Sequence, residues 1–233
     1  MAGDTGVSQI SNSLVGRKVL LAVTGGIAAV ESIKLSRELR RHGAHVSPMM
    51  TKEATKVITP LALSWGSNSD IISNWDPSMS QLDDYDGIIV APATRNTISK
   101  HVNGIIDSPV MMALSAARGK DTPLIFVPSM HSDLFDDPVT SEILSQLSSE
   151  GSHVIIDHEK EGKIKQPSHI RIVAEFSNIL NSDLPNRKRI AITLGSNIAP
   201  IDDVRSITNH STGKTGWSIS EYLYRMGHDV YLS

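Results

Sequence analysis

The sequence contains no cysteine among its 233 residues. This absence excludes disulfides, thiolate metal sites and cysteine nucleophiles, and it is consistent with a cytoplasmic protein. Aromatic residues make up only 4% of the chain, which disfavours a stacking surface for single-stranded nucleic acid. The formal net charge is −3, so electrostatics gives no reason to expect binding to nucleic acid or to an anionic membrane. No apolar run approaches the roughly 20 residues that a membrane-spanning helix needs.

Short apolar runs alternate with helical patterns along most of the chain. This alternation predicts an α/β fold, in which helices cover both faces of a parallel sheet. The first 16 residues are polar and are predicted to form a disordered tail. Strands are predicted at 19–23, 44–49, 87–91, 124–127 and 154–156, and helices at 28–42, 52–65, 96–118, 138–149 and about 170–181.

The pattern divides the chain into two parts. Residues 17–182 form the first predicted domain, and the polar, proline-containing stretch 183–188 is a predicted linker. A new strand, helix and strand follow within 189–233. One such βαβ unit of about 45 residues cannot bury both faces of a sheet, so we expect a partial α/β domain rather than a free-standing one.

The loop at residues 24–28 is the feature most typical of a ligand site. An apolar strand stops at Thr24, two glycines follow, and small residues then open a helical pattern. In this geometry, backbone N–H groups and the helix dipole can hold a phosphate. The loop has neither the dinucleotide-binding glycine pattern nor the lysine of a Walker loop. A tight turn that binds nothing is therefore the alternative interpretation.

A second loop, residues 91–97, follows the third predicted strand. Its small residues let a flat ligand lie against the backbone, while Thr94, Asn96 and Thr97 offer hydroxyl and amide groups. The alternative is that Thr94 or Asn96 only caps the next helix. Because ligands of parallel sheets sit at the carboxyl ends of the strands, we expect both loops to meet there.

Several short motifs occur in the order and spacing of one known family. They are G-G-I-A-A (25–29), M-T-K-E-A (50–54), I-T-P-L (58–61), A-P-A-T-x-N-T (91–97), N-G-x-x-D (103–107) and V-P-S-M (127–130). Over about residues 17–180 the chain resembles the homo-oligomeric FMN-containing cysteine decarboxylases. Within that family it is similar to the bifunctional phosphopantothenoylcysteine decarboxylase/phosphopantothenate–cysteine ligases, because residues 190–216 resemble the start of their ligase half.

The resemblance implies a flavodoxin-like domain that binds FMN between the subunits of a trimer and oxidises the cysteinyl thiol of phosphopantothenoylcysteine before decarboxylation. It implies an acyl-nucleotide role for Asn209 in ligase catalysis. No metal site is expected, because the clustered acidic residues within 83–86 cannot all face one point. Residues implied to face the flavin phosphate are Gly25, Gly26, Ile27, Ala28 and Thr51. Those implied to line phosphate and isoalloxazine are Ala91, Pro92, Ala93, Thr94, Asn96 and Thr97, and those implied to clamp the substrate are Ser129, Met130 and His131.

The chain departs from the family pattern at the catalytic groups. Ser78 stands near the position of the histidine base, His131 replaces the asparagine of the substrate clamp, and residues 162–169 lack the cysteine acid of the flap. In the ligase-like part, Ala199 replaces an expected glutamate. Loss of a general acid or base typically costs roughly 10²–10⁴-fold in rate. We therefore expect FMN binding without efficient decarboxylation.

Two other functions are compatible with these residues. The first is a non-catalytic, FMN-binding regulatory subunit that pairs with an intact paralogue. The second is flavin prenyl transfer on the same scaffold, which is disfavoured because residues 24–28 lack the serine-rich first loop of that group.

Overall fold

The computed structural model describes residues 6–75, 79–157, 159–160 and 162–233. The chain divides into two compact units, one ending at Val173 and the other beginning at Ala174. This division falls inside the helix that precedes the predicted linker at 183–188. Within the described ranges, no helix has the length and apolar character needed to cross a membrane.

The first unit is an α/β layer structure. A short 3-10 helix, Ile27–Glu31, precedes its first α-helix, and its last helix, His169–Asn181, continues into the second unit. In chain order its elements are β1 (Lys18–Val23), α1 (Ser32–Arg41), β2 (His45–Met50), α2 (Pro60–Ser67), β3 (Gly87–Ala93), α3 (Arg95–Val102), α4 (Pro109–Gly119), β4 (Leu124–Pro128), β5 (Met130–His131), α5 (Ser132–Phe135), α6 (Pro138–Ser149), β6 (His153–Val154), β7 (Glu159–Lys160), β8 (Lys163–Ile164) and α7 (His169–Asn181).

The central sheet has five parallel strands in the order β2-β1-β3-β4-β6. This is the flavodoxin-like order, in which the chain leaves β1 toward one edge and returns to β3 on its other side. The predicted flavodoxin-like α/β fold is thus confirmed. Ligands of such sheets bind where the strand order reverses, at the carboxyl ends of β1 and β3.

The core lies on both faces of the central strands. Residues 19–23 of β1 are fully buried, as are Ile88, Ile89 and Val90 of β3 and Ile125, Phe126 and Val127 of β4. Burial on both faces explains why these strands read as continuous apolar runs rather than as alternating patterns. Each fully buried side chain of this size contributes roughly 1.5–3 kcal/mol.

The predicted helix at 96–118 was wrong as a single element. The structure has two helices, α3 and α4, separated by residues 103–108. Gly104 has a φ of +67°, which ends the first helix. Ser108 caps α4 by accepting a hydrogen bond from Met111 N at 3.4 Å, and Pro109 occupies its first turn. The Asn103-Gly104 pair therefore ends α3, and the Ser108-Pro109 pair begins α4. The continuous helical pattern of 96–118 hid both of these local signals.

The expectation of a disordered tail was wrong for residues 10–16. Leu14 is fully buried, and its amide donates to His42 O at 2.9 Å. Ile10 N donates to Arg41 O at 2.8 Å. The segment is thus held against the end of α1 by one apolar anchor and by carbonyl groups that a helix terminus leaves without intrahelical partners.

The second unit contains the end of α7 and five further elements: β9 (Arg189–Ile192), β10 (Ile198–Pro200), β11 (Ser206–Thr208), α8 (Lys214–Arg225) and β12 (Asp229–Leu232). Strands β9 and β12 pair in parallel, as expected for a βαβ unit, and β10 and β11 form an antiparallel hairpin that was not predicted. Asn178 Nδ2 donates to Tyr224 O at 2.7 Å, and Asn181 Nδ2 donates to Arg225 O at 2.9 Å. These bonds fix the end of α7 against the end of α8.

Candidate functional site

The loop after β1 is a compact turn followed directly by a 3-10 helix. Gly26 N donates to Thr24 O at 2.8 Å, and Ala29 N donates to Gly26 O at 2.9 Å. The amides of Gly25, Ile27 and Ala28 have no acceptor among the described residues. Three of the four amides that the first loop was predicted to offer to a phosphate are therefore available to a ligand, whereas the Gly26 amide is used inside the turn. The Ile27 side chain is 78% exposed. The turn therefore fixes the backbone of Ile27 and leaves its side chain in solvent.

The first of the two glycines allows a close approach of another segment. A Cβ added to Gly25 would lie 2.3 Å from Cβ of Glu53 and 3.1 Å from its carbonyl carbon. Thr51, two residues earlier, donates its amide to Val23 O at 3.0 Å and accepts from Ala54 N through Oγ1 at 3.2 Å. The M-T-K-E-A segment thus packs beside the glycine turn, which brings Thr51 to the same place as Gly25.

The loop after β3 begins inside the strand. The pairing of β3 with β4 shifts register between Val90 and Ala93, and the Ala91–Pro92 peptide bond is cis. Thr94 stands at the N-terminus of α3, but its hydroxyl does not cap the helix. Instead, Thr94 Oγ1 lies 3.0 Å from Thr97 Oγ1. The interpretation that the Thr94 side chain caps the helix is therefore wrong, because its hydroxyl is engaged with the neighbouring Thr97 instead.

Two buried hydroxyls, one in the first loop and one at the start of α1, hold the backbone of this second loop. Thr24 Oγ1 donates to Pro92 O at 2.7 Å and accepts from Thr94 N at 3.0 Å. Ser32 Oγ donates to Ala91 O at 3.0 Å. Sequence reasoning missed both roles, because nothing in the local pattern distinguishes these residues from other small residues at a strand end or a helix start.

The two loops enclose a cleft of about 390 Å³ at the reversal of strand order. Lys100 and Asp107 form an ion pair at its wall, with Nζ 2.6 Å from Oδ2. Ala91 and Ala93 are fully buried behind the cleft. Of the residues predicted to bind the cofactor, the lining contains Gly25, Thr51, Thr94, Asn96 and Thr97; it also contains Lys52, Glu53, Lys100, Asp107, Ser108 and Met111, of which none was predicted.

The candidate substrate residues lie in the loop after β4, outside the described lining of the cleft. Ser129 N donates to Ala93 O at 3.4 Å, and β5, which is Met130–His131, pairs with β8. His131 is exposed, and its Nδ1 lies 3.4 Å from Asp133 Oδ2. Ser132 donates through both N and Oγ to Gly162 O, at 3.0 and 2.7 Å. The clamp segment is thus attached to the segment that resembles the family's flap.

One histidine near the cleft is part of the core instead. His101 follows Lys100 on α3, is 2% exposed, and has its ring 5.2 Å from that of Phe126. Burial, together with the nearby positive charge of Arg118, lowers the pKa of His101 to about 4. The ring is therefore neutral at physiological pH and packs as an apolar group.

The remaining predicted residues are placed as follows. Asn209 is an exposed residue of the second unit, between β11 and α8, and its Oδ1 accepts from Ser211 N at 3.1 Å. Ser78 lies outside the described residues. The described part of the chain brings together no group of three or more histidines and acids that could hold a metal ion.

Comparison with known proteins identifies the family. A model of the family described as flavoprotein matches residues 7–181, which is most of the chain. The chain belongs to the flavoprotein family. Residues 186–233 match the DNA/pantothenate metabolism flavoprotein C-terminal domain.

Curated relatives extend this similarity to nearly the whole chain. The coenzyme A biosynthesis bifunctional protein CoaBC of Thermococcus kodakarensis is 37% identical over 229 residues, which are 95% of this chain and 57% of the relative. The CoaBC of Bacillus subtilis is 33% identical over 237 residues, 94% of this chain and 57% of the relative. The flavoprotein described here therefore spans less than two thirds of the length of these relatives.

Solved structures show the same fold. A PPC decarboxylase variant complexed with pantothenoylaminoethenethiol superimposes with a TM-score of 0.60 at 22% identity, covering 67% of this chain and 93% of the other. The FMN binding protein AtHal3 superimposes with a TM-score of 0.57 at 21% identity, covering 67% and 92%. Both likenesses confirm the flavodoxin-like architecture of this flavoprotein.

Proposed function

We propose that this flavoprotein binds FMN in the cleft at the ends of β1 and β3 and belongs to coenzyme A biosynthesis, as a protein of the CoaBC type. The observation that carries the proposal is the set of available amides at Gly25, Ile27 and Ala28. Of these three residues, Gly25 lines the cleft together with Thr94 and Thr97. Grouped amides at the start of a helical segment suit a phosphate monoester. Relatives named for coenzyme A biosynthesis and a structural neighbour named for FMN binding support it.

The residues present fit the cofactor in both of its parts. The amides of the first loop would hold the phosphate, with hydroxyl groups of Thr94 and Thr97 as further donors. Ala91 and Ala93 expose no side chain that would obstruct a flat ring, and Asn96 supplies an amide at the wall. When bound, FMN supplies a two-electron acceptor for a thiol substrate. The contribution of the protein is to bind and orient that group.

We further propose that decarboxylation of phosphopantothenoylcysteine by this chain is slow. The sequence has no cysteine to serve as the flap acid, and a serine stands near the position of the base. His131, in place of the clamp asparagine, already faces the Asp133 carboxylate. That carboxylate competes with a substrate carboxylate for the His131 ring nitrogen. The lack of a cysteine acid also favours the second candidate, a regulatory subunit that assembles with an intact paralogue.

Two measurements test the proposal. Purified protein titrated with FMN is expected to show bound-flavin bands at roughly 370 and 450 nm; protein that stays colourless and takes up no FMN would refute the cofactor assignment. Carbon dioxide release from phosphopantothenoylcysteine is then compared with that of the Bacillus subtilis relative. We expect the rate to be lower by roughly 10²-fold or more, and comparable turnover would refute slow catalysis. Assembly into a homotrimer and a cytoplasmic location stay predictions.

A further inference from the structure

The ladder of the sheet is interrupted at two residues of β3, just before the loop residues that line the cleft. Strands β3 and β4 pair from Ile88 to Val90 and again at Ala93, where three steps on β3 meet two on β4 between Phe126 and Pro128. On the other side, the pairing of β3 with β1 ends at Val90. Ala91 and Pro92 therefore lie where neither neighbouring strand continues the ladder. Buried carbonyls in such an irregularity need other donors.

Two side-chain hydroxyls supply those donors. Thr24 and Ser32 are both fully buried, and they donate to the carbonyls of Pro92 and Ala91 respectively. A hydroxyl has a single proton but two lone pairs. Once Thr24 Oγ1 has donated to Pro92 O at 2.7 Å, it still accepts from Thr94 N at 3.0 Å. One oxygen atom thus holds the backbone on both sides of Ala93.

The position of Thr24 indicates an indirect role. It does not belong to the described lining of the cleft, whereas Thr94, Asn96 and Thr97 do. The orientation of those three residues depends on the backbone between Pro92 and Thr94, which is the segment that Thr24 fixes. Replacing the hydroxyl by a methyl group would leave a buried carbonyl and a part-buried amide unpaired, which is more costly than the loss of a single exposed bond.

We propose that Thr24 is a positioning residue of the cofactor site, and that Ser32 supports it at Ala91. The buried hydroxyl of Thr24 fixes the backbone of residues 92–94, where the pairing of β3 is interrupted. This backbone conformation places the second loop where it can contact a flavin. This inference rests on the proposed binding of FMN in the cleft. It assigns the geometry of the second loop to residues of the first loop and of α1 that do not touch the ligand.

The test compares FMN dissociation constants of four variants by fluorescence titration. Thr24→Val is expected to weaken FMN binding by about 10-fold or more, since one unmet buried hydrogen bond corresponds to roughly that factor. Thr24→Ser keeps the hydroxyl and should bind within about threefold of the unaltered protein. Ser32→Ala, which removes a single bond, should weaken binding severalfold and provides a second test if Thr24→Val does not fold.

Thr140 provides the matched control. It is also fully buried and donates through Oγ1 to a backbone carbonyl, Leu134 O, at 2.5 Å, but it lies on α6 and does not line the cleft. Thr140→Val should lower the urea midpoint while leaving FMN affinity unchanged. The inference would be overturned if Thr140→Val lost as much FMN affinity as Thr24→Val. It would also be overturned if Thr24→Val or Ser32→Ala bound FMN as tightly as the unaltered protein, or if Thr24→Ser failed to restore binding. If the unaltered protein binds no FMN, the proposed function itself fails.

Discussion

Lowering the pH should destabilise this flavoprotein through one buried histidine. His101 is 2% exposed, its ring lies against Phe126, and its Nε2 has no hydrogen-bond partner among the described residues. Burial is the main cause of its lowered pKa, which falls from 6.5 to about 4, and the Arg118 charge acts in the same direction. Glu150, which pairs with Arg118 at 3.0 Å, opposes the shift.

The sign follows from which state takes up the proton. Below pH 6.5 the unfolded chain protonates this histidine, whereas the folded chain does not until the pH approaches 4. Stability contributed by the neutral ring is therefore present above that window and is lost as the pH falls through it. Between about pH 7 and pH 5 the free energy of unfolding should fall by about 2 kcal/mol from this residue alone.

Urea denaturation at the two pH values measures the effect, and His101→Leu isolates it. Leucine keeps an apolar contact with Phe126 but cannot titrate, so the variant should lose about 2 kcal/mol less than the unaltered protein over the same interval. Acidic groups such as Glu38, whose pKa its hydrogen bond to His42 lowers, contribute equally to both proteins and cancel. Identical losses in the two proteins would refute the assignment.

Two further predictions concern the loops. Gly25→Ala should destabilise the fold by about 1–3 kcal/mol, because its Cβ would lie 2.3 Å from Glu53 Cβ. The Cβ of Gly26→Ala would meet its nearest atom at 3.5 Å, so this variant should change the free energy of unfolding by no more than about 0.5 kcal/mol. Urea denaturation that ranks the two variants in the opposite order would contradict this prediction. An ion pair between Arg95 and Asp137, with Nη2 2.7 Å from Oδ2, joins the second loop to the start of α6. A double-mutant cycle of Arg95→Met with Asp137→Asn should give a coupling of about 0.2–1 kcal/mol, and zero coupling would show that the ion pair is inert.

Much of the fold could be predicted from the sequence because local patterns and tertiary structure agree. The buried runs of β1, β3 and β4 begin within one residue of their predicted positions, and helix α6 has its predicted bounds. The error at residues 10–16 arose because a tertiary partner decides the outcome there. Leu14 is a single apolar residue in a polar stretch, and its burial depends on the end of α1. A single anchor leaves no periodic pattern for a sequence analysis to find.

The candidate site was predictable in its location but not in its internal bonding. Glycines after a buried strand and hydroxyl residues after another indicated where a ligand would meet the sheet. Which amides remain available is a different question. The Gly26 amide turns back to Thr24 O, and the hydroxyl of Thr24 bridges to Pro92 O and Thr94 N across the sheet. The two contacts of the Thr24 hydroxyl join residues 68 and 70 positions apart, so no local motif encodes them.

The departures from the family pattern affect side chains, whereas the proposed phosphate site consists largely of backbone amides. Amides at Gly25, Ile27 and Ala28 depend on the turn and not on which side chains the flap or clamp carries. General acids and bases, by contrast, are lost as soon as their side chains change. A chain that keeps the turn and loses those groups should therefore retain the cofactor while its chemistry slows. The combination of bound FMN and slow decarboxylation is consequently the expected result of these particular substitutions, because the two properties depend on different atoms of the chain.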